Sequence, residues 1–206
     1  RARADIGLSL ADNDDEEHSM TNVENTLITA EFLTNLARHA DRQMPVYPSP
    51  LFPPSPYYRF LQALAEILRP RLATELGVCG GGGSLHMALG NPAGYVVGVD
   101  IARDHEEQMQ HIETHCPNFR FWLGDSVMAA RGVYEDYGPC GLLFVDTIHE
   151  RQRTIAEYQA WWPYLTQDAV VCFDDLKRVE MGDFWDWLPG NKLRLDELHP
   201  TAEGGF

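Results

Sequence analysis

The sequence predicts an α/β fold of the doubly wound kind, in which a mainly parallel sheet is covered by helices on both faces. From residue 58 onward, short apolar runs of strand length alternate with segments of helical periodicity. A glycine-rich stretch, residues 80–84, separates the first of these runs from the helix that follows it. Strands that alternate with helices are joined by crossover connections, which make the strands parallel and bury them on both sides.

The first part of the chain, residues 1–57, is predicted to form an arm, a helix and a proline-rich segment. A helix over residues 27–40 follows from apolar positions near helical spacing, and an acidic run ahead of it is expected to be solvated. Residues 45–56 contain six prolines, so this segment is expected to be extended. It is either a passive linker or, because it carries Tyr47 and Phe52, one wall of a substrate pocket.

The second part of the chain, residues 58–206, is predicted to form the α/β domain. Its first helix, over residues 60–68, has one apolar face and ends before Pro70. A buried strand at residues 72–76 then leads into the glycine-rich stretch, and a helix begins near residue 85. Such a strand, loop and helix suit a nucleoside-like ligand, because glycine lets the backbone approach a ligand closely. A flexible turn is the alternative.

The remaining elements alternate in type along the chain. We predict strands at residues 95–99, 119–122, 142–145 and 169–173, and helices at residues 104–115, 128–134, 151–164 and 184–188. A late strand is predicted at residues 192–198. The last residues, 202–206, read as a turn before one more strand, so we expect the sheet to be truncated at its last strand.

The charge balance limits the classes of partner. The net charge of −15, from 16 basic and 31 acidic residues, argues against binding to nucleic acid or to an anionic membrane. A small neutral or cationic substrate, or a metal cation, fits better. No apolar stretch approaches the ~18 residues of a membrane span, and no signal peptide is evident. Four scattered cysteines favour a reduced, cytoplasmic protein. A homo-oligomer remains an open alternative.

Acidic residues follow or end each of the five predicted strands of the sheet. One such residue is often only the N-cap of the next helix. Five on one edge repel each other unless ligands or cations compensate. Asp100 lies 23 residues beyond Gly77, where an acid accepts hydrogen bonds from ribose hydroxyls. Asp125 and Ser126 follow the next strand, where an adenine would lie, and the alternative for Asp125 is a helix cap.

A second group of acidic residues is predicted to bind a metal. Asp146, Asp174 and Asp175 end neighbouring strands, and three carboxylates suit Mg²⁺ or a similar divalent cation. The alternative is that they cap helices or pair with the basic residues 177 and 178. His149 lies three residues after Asp146, near enough to act as a general base, although a lone histidine is more often structural.

Five short motifs occur at the predicted strand ends, in the order Glu75-Leu-Gly-Val78 with its glycines, Asp100, Gly124-Asp125-Ser126, Val145-Asp146-Thr-Ile-His149 and Phe173-Asp174-Asp175. Across residues 58–199 they resemble the class I S-adenosylmethionine-dependent methyltransferases. More closely, they resemble the metal-dependent small-molecule O-methyltransferases, including the macrolide-sugar, cephalosporin-hydroxylase-like and catechol types. The resemblance implies a Rossmann-like fold, S-adenosylmethionine as cofactor and Mg²⁺ or a similar divalent cation.

The resemblance also implies roles for individual residues. His149 lies where such enzymes have a Lys or His base, and Asp146, Asp174 and Asp175 would bind the divalent cation. The implied cofactor-binding residues are Glu75, Gly77, Val78, Gly81, Ser84, Asp100, Ile101, Asp125, Ser126 and Asp146.

The function predicted from these observations is methyl transfer to a hydroxyl of a small molecule, such as a sugar, a polyketide or a catechol-like compound. Two alternatives stay open. An NAD(P)-dependent oxidoreductase also uses a glycine loop and a following acid, but it gives no role to Asp174 and Asp175. The chain could also be a non-catalytic module that retains cofactor binding, since a fold does not by itself imply a function.

Overall fold

A computed structural model describes residues 29–43, 47–52, 55–190 and 192–194, and its centre is a single parallel sheet. The strands are β1 (Leu72–Leu76), β2 (Tyr95–Asp100), β3 (Phe119–Leu123), β4 (Cys140–Val145) and β5 (Leu165–Phe173). Their order across the sheet is β3-β2-β1-β4-β5, and every pairing is parallel. The α/β, Rossmann-like doubly wound fold predicted from the sequence is confirmed.

Helices connect the strands and cover both faces of the sheet. They are α1 (Ala30–Gln43), α2 (Pro56–Leu68), α3 (Gly82–Gly90), α4 (Glu106–His115), α5 (Ser126–Tyr137), α6 (Arg151–Trp161) and α7 (Val179–Trp187). A 3₁₀ turn, Trp162–Tyr164, follows α6. Among the helices of the described residues, none combines the length and the apolar character that crossing a membrane requires.

Alternate residues of each strand point to opposite layers, which gives two apolar cores. Ala73 and Phe144 belong to the core beneath α1, α2, α3 and α4. Leu76, Val99 and Val145 belong to the core beneath α5, α6 and α7. Because both faces are covered, the strands are almost continuously apolar, as the sequence pattern indicated.

Several helices begin or end at other residues than predicted. α3 begins at Gly82 and not near residue 85, and α5 begins at Ser126 because Asp125 caps it. α7 begins at Val179, five residues before the predicted start. α6 ends at Trp161, and Pro163 falls in the 3₁₀ turn, because proline cannot continue the hydrogen-bond ladder of a helix.

The described part of the proline-rich segment, residues 47–52, packs on the domain. Phe52 is buried in the core beneath α2, α3 and α4. The Tyr47 hydroxyl lies 2.8 Å from Nε2 of His111 on α4. Pro56 is the first residue of α2, a position where a proline costs no hydrogen bond. The described part of the segment is therefore packed on the domain, which argues against a passive linker. Its role as one wall of a substrate pocket stays a prediction.

Some predictions fall on residues that the structure does not describe. The acidic arm lies in residues 1–28, and most of the late strand lies beyond residue 194. Residues 192–194, the described part of that strand, have no regular secondary structure. The division of the chain at residue 57 stays a prediction.

Candidate functional site

The glycine loop between β1 and α3 rests directly on the end of β4. Gly77 has φ +84°, and a Cβ atom there would lie 2.1 Å from the backbone oxygen of Asp146. The Gly77 N–H donates to the Val99 carbonyl, which ties the loop to β2 as well. Gly81 has φ +74° at the N-cap of α3. Glycine adopts such left-handed conformations without strain. The loop therefore lies at the carboxyl edge of the sheet, where ligands of such folds bind.

Two further glycines serve packing inside α3. A Cβ on Gly82 would lie 2.3 Å from the ring of Tyr58, and one on Gly83 would lie 2.3 Å from Oε1 of Glu75. A Cβ on Gly80 would meet nothing within 4 Å. The glycine run thus has two uses, since its first part forms the loop and its second part lets α3 approach α2 and β1.

Glu75 and Ser84 form a buried pair behind this loop. Oε2 of Glu75 accepts hydrogen bonds from the Ser84 N–H at 2.7 Å and from the Ser84 hydroxyl at 2.5 Å. Only 2% of Glu75 is exposed. Burial raises the pKa of Glu75 to about 8, and the hydrogen bonds from Ser84 oppose that rise. Both residues were predicted to bind the cofactor, and in this structure their side chains bind each other.

This raised pKa predicts how stability depends on pH. Because the ordinary value is 4.5, the folded protein holds a proton on Glu75 between pH 4.5 and about 8 that the unfolded chain has lost. The free energy of unfolding should therefore fall as the pH rises through this window. Glu75→Gln should flatten that fall in thermal unfolding measured between about pH 5 and about pH 8. The exposed Glu66→Gln is the control. Equal slopes in wild type and Glu75→Gln would contradict the assignment.

Asp100 fixes the glycine loop from the end of β2. Its Oδ2 accepts hydrogen bonds from the N–H groups of Val78 at 2.8 Å and Cys79 at 3.1 Å. Its Oδ1 lies 3.3 Å from the Ala102 nitrogen. The side chain is half-buried, and the neighbouring Ile101 is exposed. Oδ2 already accepts two hydrogen bonds, but Oδ1 can accept a second one, so Asp100 can hold the loop and still bind a hydroxyl group.

Asp125 and Ser126 lie at the predicted place, but their side chains are used within the protein. Oδ1 of Asp125 accepts hydrogen bonds from the N–H groups of Val127 and Met128, so Asp125 is the N-cap of α5. This is the alternative role considered from the sequence. The Ser126 hydroxyl is buried and donates to Glu157 on α6 at 2.5 Å. Contact with an adenine would therefore come from the backbone of this turn and not from the Ser126 hydroxyl.

The acidic residues at the ends of β4 and β5 converge with a histidine. Asp146, His149 and Asp174 each offer a ligand atom within 4.8 Å of the others. Nε2 of His149 lies 3.1 Å from Oδ1 of Asp146, and this contact raises the pKa of His149. Burial, followed by the charge of Asp146, raises the pKa of Asp174 to about 7. Burial and a neighbouring negative charge both disfavour the ionised form of a carboxylate.

Asp175, the third acid predicted to bind the metal, lies beside this cluster and pairs with a basic residue. Its Oδ2 lies 2.5 Å from Nε of Arg178 and 3.5 Å from Nε2 of His149. Its φ of +57° turns the backbone away from the extended strand. His149 takes its place in the converging group. From the sequence, the alternative to metal binding was that these acids cap helices or pair with residues 177 and 178. The structure shows such a pair, with Arg178, for Asp175.

Two charged residues of the site were missed in the sequence. Arg153 and Glu157 of α6 contact Asp125, Ser126 and Thr147. In the sequence they are only an Arg-Glu pair four residues apart on a helix, which usually means a solvated face. Nothing in the spacing indicates that this face is buried against two loops.

Comparison with known proteins identifies the kind of domain. The family described as a methyltransferase domain, Methyltransf_24, matches residues 74–176. This region begins in β1 and ends just after Asp175, so it contains every predicted site residue. No curated protein sequence matches the chain.

Solved structures with the same fold include two methyltransferases and a third protein that was solved with a cofactor bound. The O-methyltransferase TomG from Streptomyces achromogenes, in complex with SAM, is 19% identical with a TM-score of 0.57, and the match covers 82% of each chain. The calicheamicin methyltransferase CalS11 is 18% identical with a TM-score of 0.55, over 99% of this chain and 97% of that one. Cofactor-bound Rv0187 from MTB is 20% identical with a TM-score of 0.52, over 71% of this chain. The chain spans 64% of the length of Rv0187.

Proposed function

We propose that this chain, which belongs to the methyltransferase-domain family, transfers a methyl group from S-adenosylmethionine to a hydroxyl of a small molecule. A divalent cation would assist the transfer. One observation carries the proposal. The cluster of Asp146, His149 and Asp174 lies at the end of β4, and the glycine loop rests on the backbone of that same Asp146. A methyl donor at the loop and a metal-bound acceptor at the cluster would therefore be neighbours.

The residues around the loop fit an adenosyl cofactor. S-adenosylmethionine supplies an electrophilic methyl group on a positively charged sulfur. Asp100 would accept hydrogen bonds from the ribose, and Gly77 and Gly81 would let the backbone approach the methionine portion. The exposed apolar side chains of Ile101 and Met128 suit the faces of an adenine ring. A glycine loop with open space above Gly80 is consistent with a ligand in this position.

The remaining cofactor residues are proposed in less direct roles. Val78 is buried, and its N–H holds Asp100, so it would act by shaping the loop. Glu75 and Ser84 would support the loop from behind, through the hydrogen bonds that join them. Asp125 and Ser126 would form the turn beside the adenine.

The acidic cluster fits a divalent cation. Carboxylate oxygens are the preferred ligands of Mg²⁺, and Asp146 and Asp174 offer two of them within 4.8 Å of each other. A bound cation lowers the pKa of a coordinated hydroxyl. Asp146 and Asp174 would hold it, and Asp175 could join them only by exchanging its ion pair with Arg178.

His149 is proposed as the general base. Its ring would accept the proton that the acceptor hydroxyl loses, a role for which histidine is the commonest side chain. Asp146 holds Nε2 of His149 in the free protein. The backbone of His149 has φ +57°, a sparsely populated conformation that fixes where the ring lies.

The acceptor is proposed to be a small molecule with two neighbouring oxygen atoms. Two such atoms suit chelation by one cation, and the net charge of −15 disfavours an anionic polymer. Sugars, polyketides and catechol-like compounds all meet this requirement. The family match disfavours the oxidoreductase alternative, since that reaction needs a different cofactor.

Calorimetry with S-adenosylhomocysteine tests the proposal. We expect binding in the micromolar range, and we expect transfer of labelled methyl from S-adenosylmethionine to a panel of diols when Mg²⁺ is present and not after chelation. Failure to bind S-adenosylhomocysteine at millimolar concentration, with or without Mg²⁺, would contradict the proposal. Binding without transfer to any hydroxylated acceptor would favour the non-catalytic module instead.

A further inference from the structure

An ion pair on α6, formed by the half-buried Arg153 and the buried Glu157, lies between the two halves of the site. Glu157 has 0% exposure, and its Oε1 accepts from Nε of Arg153 at 2.9 Å and from the Ser126 hydroxyl at 2.5 Å. Nη2 of Arg153 donates to Oδ2 of Asp125 at 2.9 Å and to the Ser126 hydroxyl at 2.6 Å. Both residues of the pair therefore hold the turn after β3.

The same carboxylate also reaches the loop after β4. The Thr147 hydroxyl donates to Oε2 of Glu157 at 2.8 Å. Thr147 lies between Asp146 and His149, the two residues that face each other in the acidic cluster. β3 and β4 are separated in the sheet by β2 and β1, so no strand pairing joins these loops directly. The pair on α6 spans that gap.

We propose that Arg153 and Glu157 act as a positioning pair that couples cofactor binding at the turn after β3 to the arrangement of the catalytic loop, residues 146–149. This inference rests on the proposed function. An adenine that orders the Asp125 turn would thereby favour one position of Thr147, and with it one position of Asp146 and His149. Because coupling between sites is reciprocal, ordering of the catalytic loop would also tighten cofactor binding.

The complete burial of Glu157 makes its hydrogen bonds to the two loops important for stability. A buried carboxylate is stable only when its hydrogen bonds are made, so a shift of either loop leaves Glu157 with an unmade bond. α6 holds the turn after β3 at a second point, where Nε1 of Trp161 donates to the Ser126 carbonyl at 2.8 Å. The turn and α6 should therefore move together, and Thr147 is the contact that carries such movement to the catalytic loop.

The chain offers a matched control for this pair. Arg131 and Glu135 on α5 have the same spacing of four residues and a distance of 2.7 Å. Their side chains are 77% and 56% exposed, and such surface pairs contribute little to stability. Glu135→Gln should therefore change neither cofactor binding nor the catalytic loop.

Hydrogen exchange measured on the peptide containing residues 146–150, with and without saturating S-adenosylhomocysteine, tests the coupling. In wild type and Glu135→Gln we expect the ligand to slow exchange in this peptide by about fivefold or more. Glu157→Gln and Thr147→Val should lose this slowing. Thr147→Val removes one hydroxyl from a half-buried position, so it should fold and bind the ligand within about threefold of wild type.

The outcomes separate the inference from the proposed function. If wild type binds no S-adenosylhomocysteine, the proposed function fails and this inference fails with it. If wild type binds the ligand but the loop exchanges at the same rate, only the inference fails. If Thr147→Val binds the ligand and its loop is slowed as in wild type, the positioning role is also overturned, whatever the stability of Glu157→Gln.

Discussion

Replacing Gly77 with alanine is expected to weaken the binding of S-adenosylhomocysteine severely. The φ of +84° is costly for any residue with a Cβ atom, by about 1–3 kcal/mol. The new methyl group would also lie 2.1 Å from the backbone oxygen of Asp146, which cannot move aside as a flexible side chain can. The glycine loop and the β4 end would separate. We expect affinity by calorimetry to fall about 100-fold or more, with a lower melting temperature.

The same loop contains the control for this substitution. A Cβ atom on Gly80 would meet nothing within 4 Å, and Gly80 does not have a positive φ. Gly80→Ala should therefore fold with the wild-type melting temperature. If Gly77→Ala bound the ligand as tightly as wild type, the close contact between the loop and Asp146 would not matter to the site.

Replacing Asp146 with asparagine should have the second large effect. The change preserves shape but removes the charge that holds His149 and raises its pKa. It also removes one carboxylate of the proposed metal site. We expect methyl transfer, measured with the acceptor that wild type methylates best, to fall by about 10²–10⁴-fold. Binding of Mg²⁺ alone, measured by calorimetry, should weaken about tenfold or more.

An exposed acid on α7 provides the comparison. Asp183→Asn removes the same charge from a surface position, so it should leave both readouts unchanged. Wild-type rates and Mg²⁺ affinity in Asp146→Asn would contradict the role given to the acidic cluster.

The sequence predicted the fold and the edge of the sheet that carries the site. Parallel strands end at one edge, so acids at the ends of apolar runs had to lie on the same rim, and Asp100, Asp146 and Asp174 do. The alternation of buried residues in β1 and β4 likewise follows from a two-residue period. These features depend only on local pattern, which is why they could be predicted.

Features that depend on tertiary contact were not predicted. The sequence left two roles open for each of Asp125 and Asp175, and only the structure shows that Asp125 caps α5 and that Asp175 pairs with Arg178. From the sequence, Gly82 and Gly83 were assigned to the glycine loop. In the structure they are glycines of α3, and a Cβ atom on either would collide with Tyr58 or Glu75. The close contacts of these two glycines come from α2 and β1, which the pattern of the loop itself does not reveal.

The ion pair of Arg153 and Glu157 on α6 is the clearest case. Nothing in the spacing of Arg153 and Glu157 distinguishes it from the exposed pair of Arg131 and Glu135. Only the packing of α6 against two loops makes the difference. Sequence patterns thus located the groups proposed for the chemistry, while the residues proposed to position them required the structure.

A crystal structure with S-adenosylhomocysteine and Mn²⁺ tests the central claim most directly, since the anomalous signal of manganese marks the metal. We expect the manganese peak to be bonded to the carboxylates of Asp146 and Asp174, with the adenosyl group beside Asp100 at the end of β2. A peak elsewhere, or a ligand bound away from the glycine loop, would contradict the account.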